Sequence, residues 1–261
     1  MMALQWLEQQ QQQAVSSVTK LAGLTACSHL VELANGERYV LRSQTQRATD
    51  YGIDYQQEVA FLRLIEPLGF APKIIYANET SALLAWINGQ TPSHFSQPLL
   101  AKLADQLASL HRFDWQAVRS TQNLTRLNLA ERCQFLWQNL PLKMQNSLNF
   151  TPPFKQISPY KQTICHHDIH LANLVEQDEK LFLIDWEYAA ISDPALELAL
   201  LFHYNPLSAE QKAFFLARYF AKSGFDPTAC VAKMVEYQPE IEKLNRLWFR
   251  LSHFLDTIFQ T

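Results

Sequence analysis

The most constraining stretch of this 261-residue chain is His166-His167-Asp168-Ile169-His170-Leu171-Ala172-Asn173, followed twelve residues later by Asp185. Asp185 closes the apolar run Leu181 to Ile184. Two short apolar runs, Leu174-Val175 and Leu181 to Ile184, enclose the turn-like Gln177-Asp178-Glu179-Lys180. That pattern predicts a small hairpin flanked by loops. Such a hairpin begins beside Asn173 and ends beside Asp185, so one short unit can deliver both side chains to one metal cluster.

The chemistry that suits these residues is phosphoryl transfer. The nucleophilic hydroxyl must lie in line with the γ-phosphate, oriented by a carboxylate that takes its proton. Asp168, at the start of a loop, fits that role. The triphosphate also needs its charge neutralised by Mg²⁺, a hard cation that prefers oxygen ligands. Asn173 offers a carbonyl oxygen and Asp185 a carboxylate. His166 is expected to buttress the loop from behind rather than to react. The run H-x-D-x-x-x-x-N, then an apolar strand ending in Asp, has the spacing of the kinase catalytic loop and metal-binding aspartate. Taken singly the pieces say little. An Asp-Asn pair in a loop is ordinarily turn chemistry. His167 and His170 hint at zinc, but the third ligand and the helical H-E-x-x-H frame are missing.

The first third reads as a small mixed lobe. Residues 4–13 form a short helix. Residues 28–34 and 37–43 alternate around Asn35-Gly36, a strong hairpin signal because both turn positions tolerate positive φ. Val59, Phe61, Leu62 and Ile65 recur at helical spacing over 53–66, ended by Pro67 and Gly69. Strands follow near 73–77 and 82–87, and Asn88-Gly89 breaks the pattern. The lobe boundary is placed there, giving 1–88 and 89–261. The remainder is mainly helical. Leu99, Leu100, Leu103, Leu107 and Leu110 share one face over 97–112. A helix over 127–147 is interrupted by Pro141, and 149–160 is a proline-rich loop. Asp193-Pro194 caps a helix through about 203, and further helices cover 208–221 and 228–256. The fold class is α+β, a small lobe with an antiparallel sheet and a mainly helical C-terminal lobe.

Composition sets limits on partners. The formal net charge is -3, with no basic stripe, so nucleic acid is a poor partner. The segment Met1 to Gln13 is Gln-rich and lacks an apolar h-region, so no signal peptide is expected. No apolar run approaches a membrane span, so no membrane is expected either. The four cysteines form no C-x-x-C pair and read as reduced, mostly buried thiols of a cytoplasmic protein. A monomer or homodimer is expected.

The chain resembles the aminoglycoside phosphotransferase and choline kinase superfamily over nearly its whole length. Leu181 to Ala199, with Ile184-Asp185-Trp186-Glu187-Tyr188-Ala189 and Asp193-Pro194-Ala195-Leu196-Glu197-Leu198-Ala199, is especially similar to bacterial thiamine kinase and to choline kinases. The resemblance implies a protein-kinase-like two-lobed fold, ATP as phosphate donor and Mg²⁺. It implies that the turn Gly23 to Ser28 covers the phosphates, through backbone N–H groups and the hydroxyls of Thr25 and Ser28. That turn has one glycine, and the protein-kinase G-x-G-x-x-G is absent. The third-strand basic residue is Arg42, an arginine where choline-kinase-like proteins tolerate one, with Glu58 as its helix partner. The adenine is expected at the lobe junction around Leu84, Ala85, Trp86 and Ile87. A solvated charge pair and plain strand core are the bland alternatives for these positions.

Only seven residues separate Asp185 from Asp193, too few for a peptide-binding activation segment, so the acceptor is a small alcohol. A cationic alcohol wants acidic and aromatic surfaces. Glu187, Trp186, Tyr188 and Trp248 are the candidates, and Tyr237 and Phe249 are also available. The resemblance places thiamine first, choline or ethanolamine next and an aminoglycoside last, since 25 acidic against 22 basic residues is a mild excess for a polycation. A nucleotide-binding pseudokinase is the non-enzymatic alternative, motivated by the glycine-poor first turn.

Overall fold

The Asn35-Gly36 pair does form a tight turn in the structure, a computed structural model that describes residues 2–21, 27–118 and 124–259. Gly36 takes φ 84°, and its N–H donates to Leu33 O at 2.9 Å. The turn joins two strands of a five-stranded antiparallel sheet. By packing, the chain divides into two compact units, Met1–Gln90 with Val175–Glu187, and Thr91–Leu174 with Tyr188–Thr261.

In the first unit, helix α1 (Met2–Gln11) precedes strands β1 (Val15–Lys20), β2 (Cys27–Leu33) and β3 (Arg38–Ser43). A one-turn helix α2 (Gln46–Asp50) and helix α3 (Tyr55–Ile65) follow, then β4 (Ile74–Ala77) and β5 (Ser81–Ala85). The sheet order is β1-β2-β3-β5-β4. Ala3 and Leu7 of α1 pack with Val31, Leu33, Tyr39 and Leu83 of the sheet, and Trp6 stacks on Tyr76. Each such large apolar side chain contributes about 1.5–3 kcal/mol by leaving water. Asp54 caps α3 by accepting the Gln56 N–H at 2.8 Å. The helix buries Val59, Phe61, Leu62 and Ile65 as its apolar spacing predicts, and it buries Glu58 as well. β1 and α2 escape the sequence reading. β1 reads Val-Ser-Ser-Val-Thr-Lys, too polar for an apolar run, and it owes its place to pairing with β2.

The second unit begins with α4 (Gln97–Arg112), capped by Ser96, with the expected leucines buried along one face. Pro141 splits the next helical stretch into α5 (Leu129–Gln138) and α6 (Leu142–Gln145). Strand β6 (Thr163–Cys165) leads into the H-x-D loop. The hairpin β7 (Leu174–Gln177) and β8 (Lys180–Leu183) follows, with Asp178 and Glu179 at positive φ in its turn. Most of that hairpin packs with the first unit, where Leu183 N–H donates to Phe70 O at 2.8 Å. Gly89 and Gln90 meet it edge-on, through mutual Gln90–Glu176 backbone bonds of 2.9 Å. A Cβ on Gly89 would collide with the Glu176 carbonyl, so glycine is required there.

Strand β9 (Ala190–Ser192) pairs antiparallel with β6. Helix α7 (Pro194–Tyr204) is capped by Asp193, and Pro194 through Leu201 are all buried. Helix α8 (Ala209–Ser223) has a Ser208–Gln211 capping box and ends on Gly224 at φ 69°. Helix α9 (Pro227–Phe259) packs on α5 and α7 and carries Pro239 inside it. Cys133, Cys165 and Cys230 are free and buried. No helix among the described residues is long and apolar enough to cross a membrane.

Candidate active site

The loop in the second unit is built around the Asp168 carboxylate. His166 is fully buried, and its Nδ1 accepts the Asp168 N–H at 3.2 Å. Asn173 closes a one-turn 3-10 helix at Leu171–Asn173. Its Nδ2 donates to Asp168 O at 2.8 Å and to Asp168 Oδ2 at 3.0 Å. His170 Nε2 lies 3.5 Å from the same Oδ2. Oδ2 is therefore held, and Oδ1 has no donor among the described residues. Burial would raise the Asp168 pKa, but His170, His166 and Asn173 bring it below the usual carboxylate value. Asp168 is an ionised, oriented carboxylate with one oxygen free of donors among the described residues.

A second carboxylate, which sequence reasoning missed, holds the start of the loop. Glu197 of α7 is fully buried, and its Oε1 accepts the N–H groups of both His166 and His167, the latter at 2.8 Å. Its Oε2 pairs with His111 Nε2 of α4 at 2.5 Å. His111 Nδ1 in turn lies 2.7 Å from Tyr219 OH of α8. Burial opposes the Glu197 charge, yet the bonds from His111 and His167 pull its pKa down to about 2. The sequence held a clue: Glu197 is the lone charge in the apolar run Pro194 to Leu201, and a buried charge needs partners. His111, Cys165 and Glu197 lie close enough together to hold a metal. Burial pushes the Cys165 thiol well up, so it stays protonated, and both Glu197 oxygens are already bonded. The group is a polar brace.

His167 takes φ 67°, a left-handed conformation that histidine adopts at some cost. Its Nδ1 is 3.2 Å from Tyr188 O, and burial lowers its pKa to about 4, so the ring is neutral at neutral pH.

In the first unit the charges gather around Arg42 of β3. Its Nη2 donates to Glu58 Oε1 at 2.6 Å and to Asp185 Oδ1, its Nε donates to the same Glu58 oxygen at 3.2 Å, and its Nη1 donates to Ser28 Oγ at 2.8 Å. Glu187 Oε2 lies 3.9 Å from Nη1. Burial alone would lower the Arg42 pKa, but Asp185, Glu58 and Glu187 raise it well above its ordinary value. Burial raises Glu58 above the usual carboxylate range, against the pull of Arg42. Asp185 sits at φ 65°, and its side chain is 35% exposed.

Three carboxylates thus face one guanidinium. Arg42 takes Asp185 Oδ1, so Oδ2 is the oxygen left for a cation. In the other unit, Asn173 spends its amide hydrogens on Asp168 and keeps its Oδ1. Both are oxygen donors of the kind Mg²⁺ prefers.

The remaining candidates divide. Trp186 is fully buried; its Nε1 donates to Leu183 O at 2.7 Å, its N–H donates to Glu58 Oε1, and its ring stacks on Phe70. That is a core position. Glu187 belongs to the Arg42 cluster. Tyr188 and Trp248 come together, with Trp248 Nε1 donating to Tyr188 OH at 3.2 Å. Trp86 and Ile87 are half-buried just beyond β5, which ends at Ala85 rather than continuing to 87. Thr25, with most of the turn Gly23 to Ser28, lies outside the described residues.

A model of the phosphotransferase enzyme family (APH) matches residues 23–231, and the chain belongs to that family. A thiamine kinase of Escherichia coli O157:H7 is 28% identical over 244 residues, covering 87% of this chain and 80% of that one. A protein LicA homolog of Metamycoplasma hominis is 27% identical over 168 residues, 60% of this chain. The match spans less than two thirds of the LicA homologs of M. hominis and Mycoplasma capricolum, 63% and 64% of their lengths. The crystal structure of choline kinase LicA from Streptococcus pneumoniae shares the fold, with a TM-score of 0.72 at 19% identity, over 98% of this chain and 92% of that one.

Proposed function

We propose that this protein transfers the γ-phosphate of ATP to the hydroxyl of a small alcohol. The observation that carries the reading is the Asp168 carboxylate, ionised, held on one oxygen by Asn173 and open on the other. The acceptor hydroxyl hydrogen-bonds to Oδ1. As its oxygen attacks the γ-phosphorus, the hydroxyl proton passes to Asp168, the new P–O bond forms and the bond to the ADP oxygen breaks. Asn173 and Asp185 are the residues that would hold Mg²⁺, which would neutralise the triphosphate charge. Arg42 supplies donors to phosphate oxygens, with Ser28 and Glu58 holding its fork. Trp86 and Ile87 are candidates beside the adenine. Glu197 and His111 act through the loop backbone and are positioning residues.

The acceptor reading is finer. Thiamine comes first, because the thiamine kinase relatives match across most of the chain, and choline or ethanolamine come next, from the LicA relatives. Tyr188, Trp248 and Glu187 are the proposed contacts. The test is a screen with labelled ATP and Mg²⁺ over thiamine, choline, ethanolamine and an aminoglycoside. Phosphorylated thiamine in excess over the others is expected. Product on choline and none on thiamine reverses the order, and binding of nucleotide with no product on any alcohol favours a pseudokinase.

A further inference from the structure

Arg132 of α5 differs from the strongly bonded arginines of the molecule. Arg42 meets three carboxylates, Arg38 pairs with Glu32, and Arg218 pairs with Asp105. Arg132 is half-buried and has no carboxylate partner among the described residues, and none of its N–H groups finds an acceptor there. Its guanidinium carbon lies 5.8 Å from the centre of the Tyr188 ring and 5.5 Å from that of Phe135. Burial lowers its pKa, and the nearby Tyr188 and Cys133 offset this only in part.

This cation stands at the acceptor candidates. Tyr188 is fixed at both ends, by Trp248 on its hydroxyl and by His167, the neighbour of Asp168, on its carbonyl. Tyr204, at the end of α7, feels the charge of both Asp168 and Cys133, the residue next to Arg132. All of these residues belong to the helical unit.

A half-buried cation with open donors can take hydrogen-bond acceptors from outside the chain. It also occupies the aromatic surface that an ammonium group would use, and two like charges on one ring face repel. We infer that Arg132 selects the acceptor: it excludes a quaternary ammonium from the Tyr188 face and donates hydrogen bonds to a planar acceptor group, a ring nitrogen or an oxyanion, on the alcohol that is phosphorylated. The inference rests on the phosphotransferase reading above and separates its two leading acceptors. Thiamine carries a cationic thiazolium too, and this ring must lie off the Tyr188 face, but it also carries a pyrimidine whose ring nitrogens accept hydrogen bonds. Choline offers a cation and a hydroxyl only.

The test compares wild type, Arg132→Gln and Arg132→Lys, each checked for an unchanged melting temperature. The acceptors are thiamine, the thiazole alcohol that thiamine contains without its pyrimidine, choline, and a carboxylate-bearing alcohol. The expected wild-type order puts thiamine or the carboxylate-bearing alcohol at least tenfold above choline in kcat/KM. Which of the two leads identifies the ring nitrogen or the oxyanion as the group bound. Arg132→Gln is expected to raise the KM of that acceptor at least tenfold, with a much smaller change in kcat and in the thiazole alcohol. Arg132→Lys, which keeps the charge but loses the planar fork, is expected to recover only part of it. Choline as the preferred acceptor, or an acceptor ratio within twofold of wild type in Arg132→Gln, overturns the inference and leaves the phosphotransferase reading standing. No turnover with any alcohol overturns both.

Discussion

The Asp168 loop and the Arg42 cluster are both buried and charged, but they balance their charges differently. In the loop the two carboxylates are matched by donors: Glu197 meets two N–H groups and a histidine, and Asp168 meets Asn173 and His170, while the buried His167 Nε2 has no partner among the described residues. Around Arg42, three carboxylates share one cation. The contrast teaches that the Asp168 carboxylate, the proposed base, is held in place by groups of the chain itself. The Arg42 cluster sets three carboxylates around one guanidinium, and burial raises the pKa of Glu58 among them. Preorganised groups spend no reorganisation at the moment of reaction, whereas an unbalanced cluster is stabilised by whatever cation binds it.

That contrast can be broken by substitution. The largest stability effect is expected from Glu197→Ala, which strands two buried N–H groups and His111. Unfolding by urea is expected to show a loss of about 3–5 kcal/mol, as for other broken buried pairs. A loss under about 1 kcal/mol would mean the brace is not structural. Arg42→Met removes the guanidinium that the three carboxylates share and is expected to cost about 2–4 kcal/mol, part of which millimolar Mg²⁺ is expected to restore. Mg²⁺ is expected to restore nothing in Glu197→Ala. Equal rescue of both variants, or of neither, would erase the distinction.

His167 gives a pH-dependent test on the balanced side. Its folded pKa of about 4 lies below the unfolded histidine value. The unfolded chain therefore binds a proton that the folded chain refuses as pH falls. Stability is full above about pH 6.5 and is lost as pH falls towards 4, by up to about 3 kcal/mol. His167→Asn does not titrate and tolerates the left-handed backbone. It is expected to flatten the melting temperature over that range. An unchanged slope would place the titration elsewhere. The smallest effect belongs to Ser28→Ala, whose hydroxyl gives Arg42 one acceptor among several; about 1 kcal/mol or less is expected by thermal melting.

Much of this was legible in the sequence because local rules and tertiary packing agree. Asn35-Gly36, the Asp193 cap and the leucines of α4 each specify their element locally. The loop residues Asp168 and Asn173 were legible through spacing, and the Arg42–Glu58 pair through the resemblance. The rest depends on distant contacts. β1 is too polar to announce itself and exists through its neighbour. Trp186 was grouped with acceptor contacts by its nearness to Asp185 in sequence, yet its side chain is part of the core. His111 and Tyr219 have no local signature, since their partners lie on other helices.

Asp168→Asn tests the central claim most directly, because asparagine keeps the shape of the side chain and removes its ability to take a proton. With the acceptor that the screen selects, saturating ATP and Mg²⁺, kcat is expected to fall by about 10²–10⁴ while both KM values move little. Turnover within a few-fold of wild type would contradict the assignment of Asp168 as the base, and with it the account of the loop built around it.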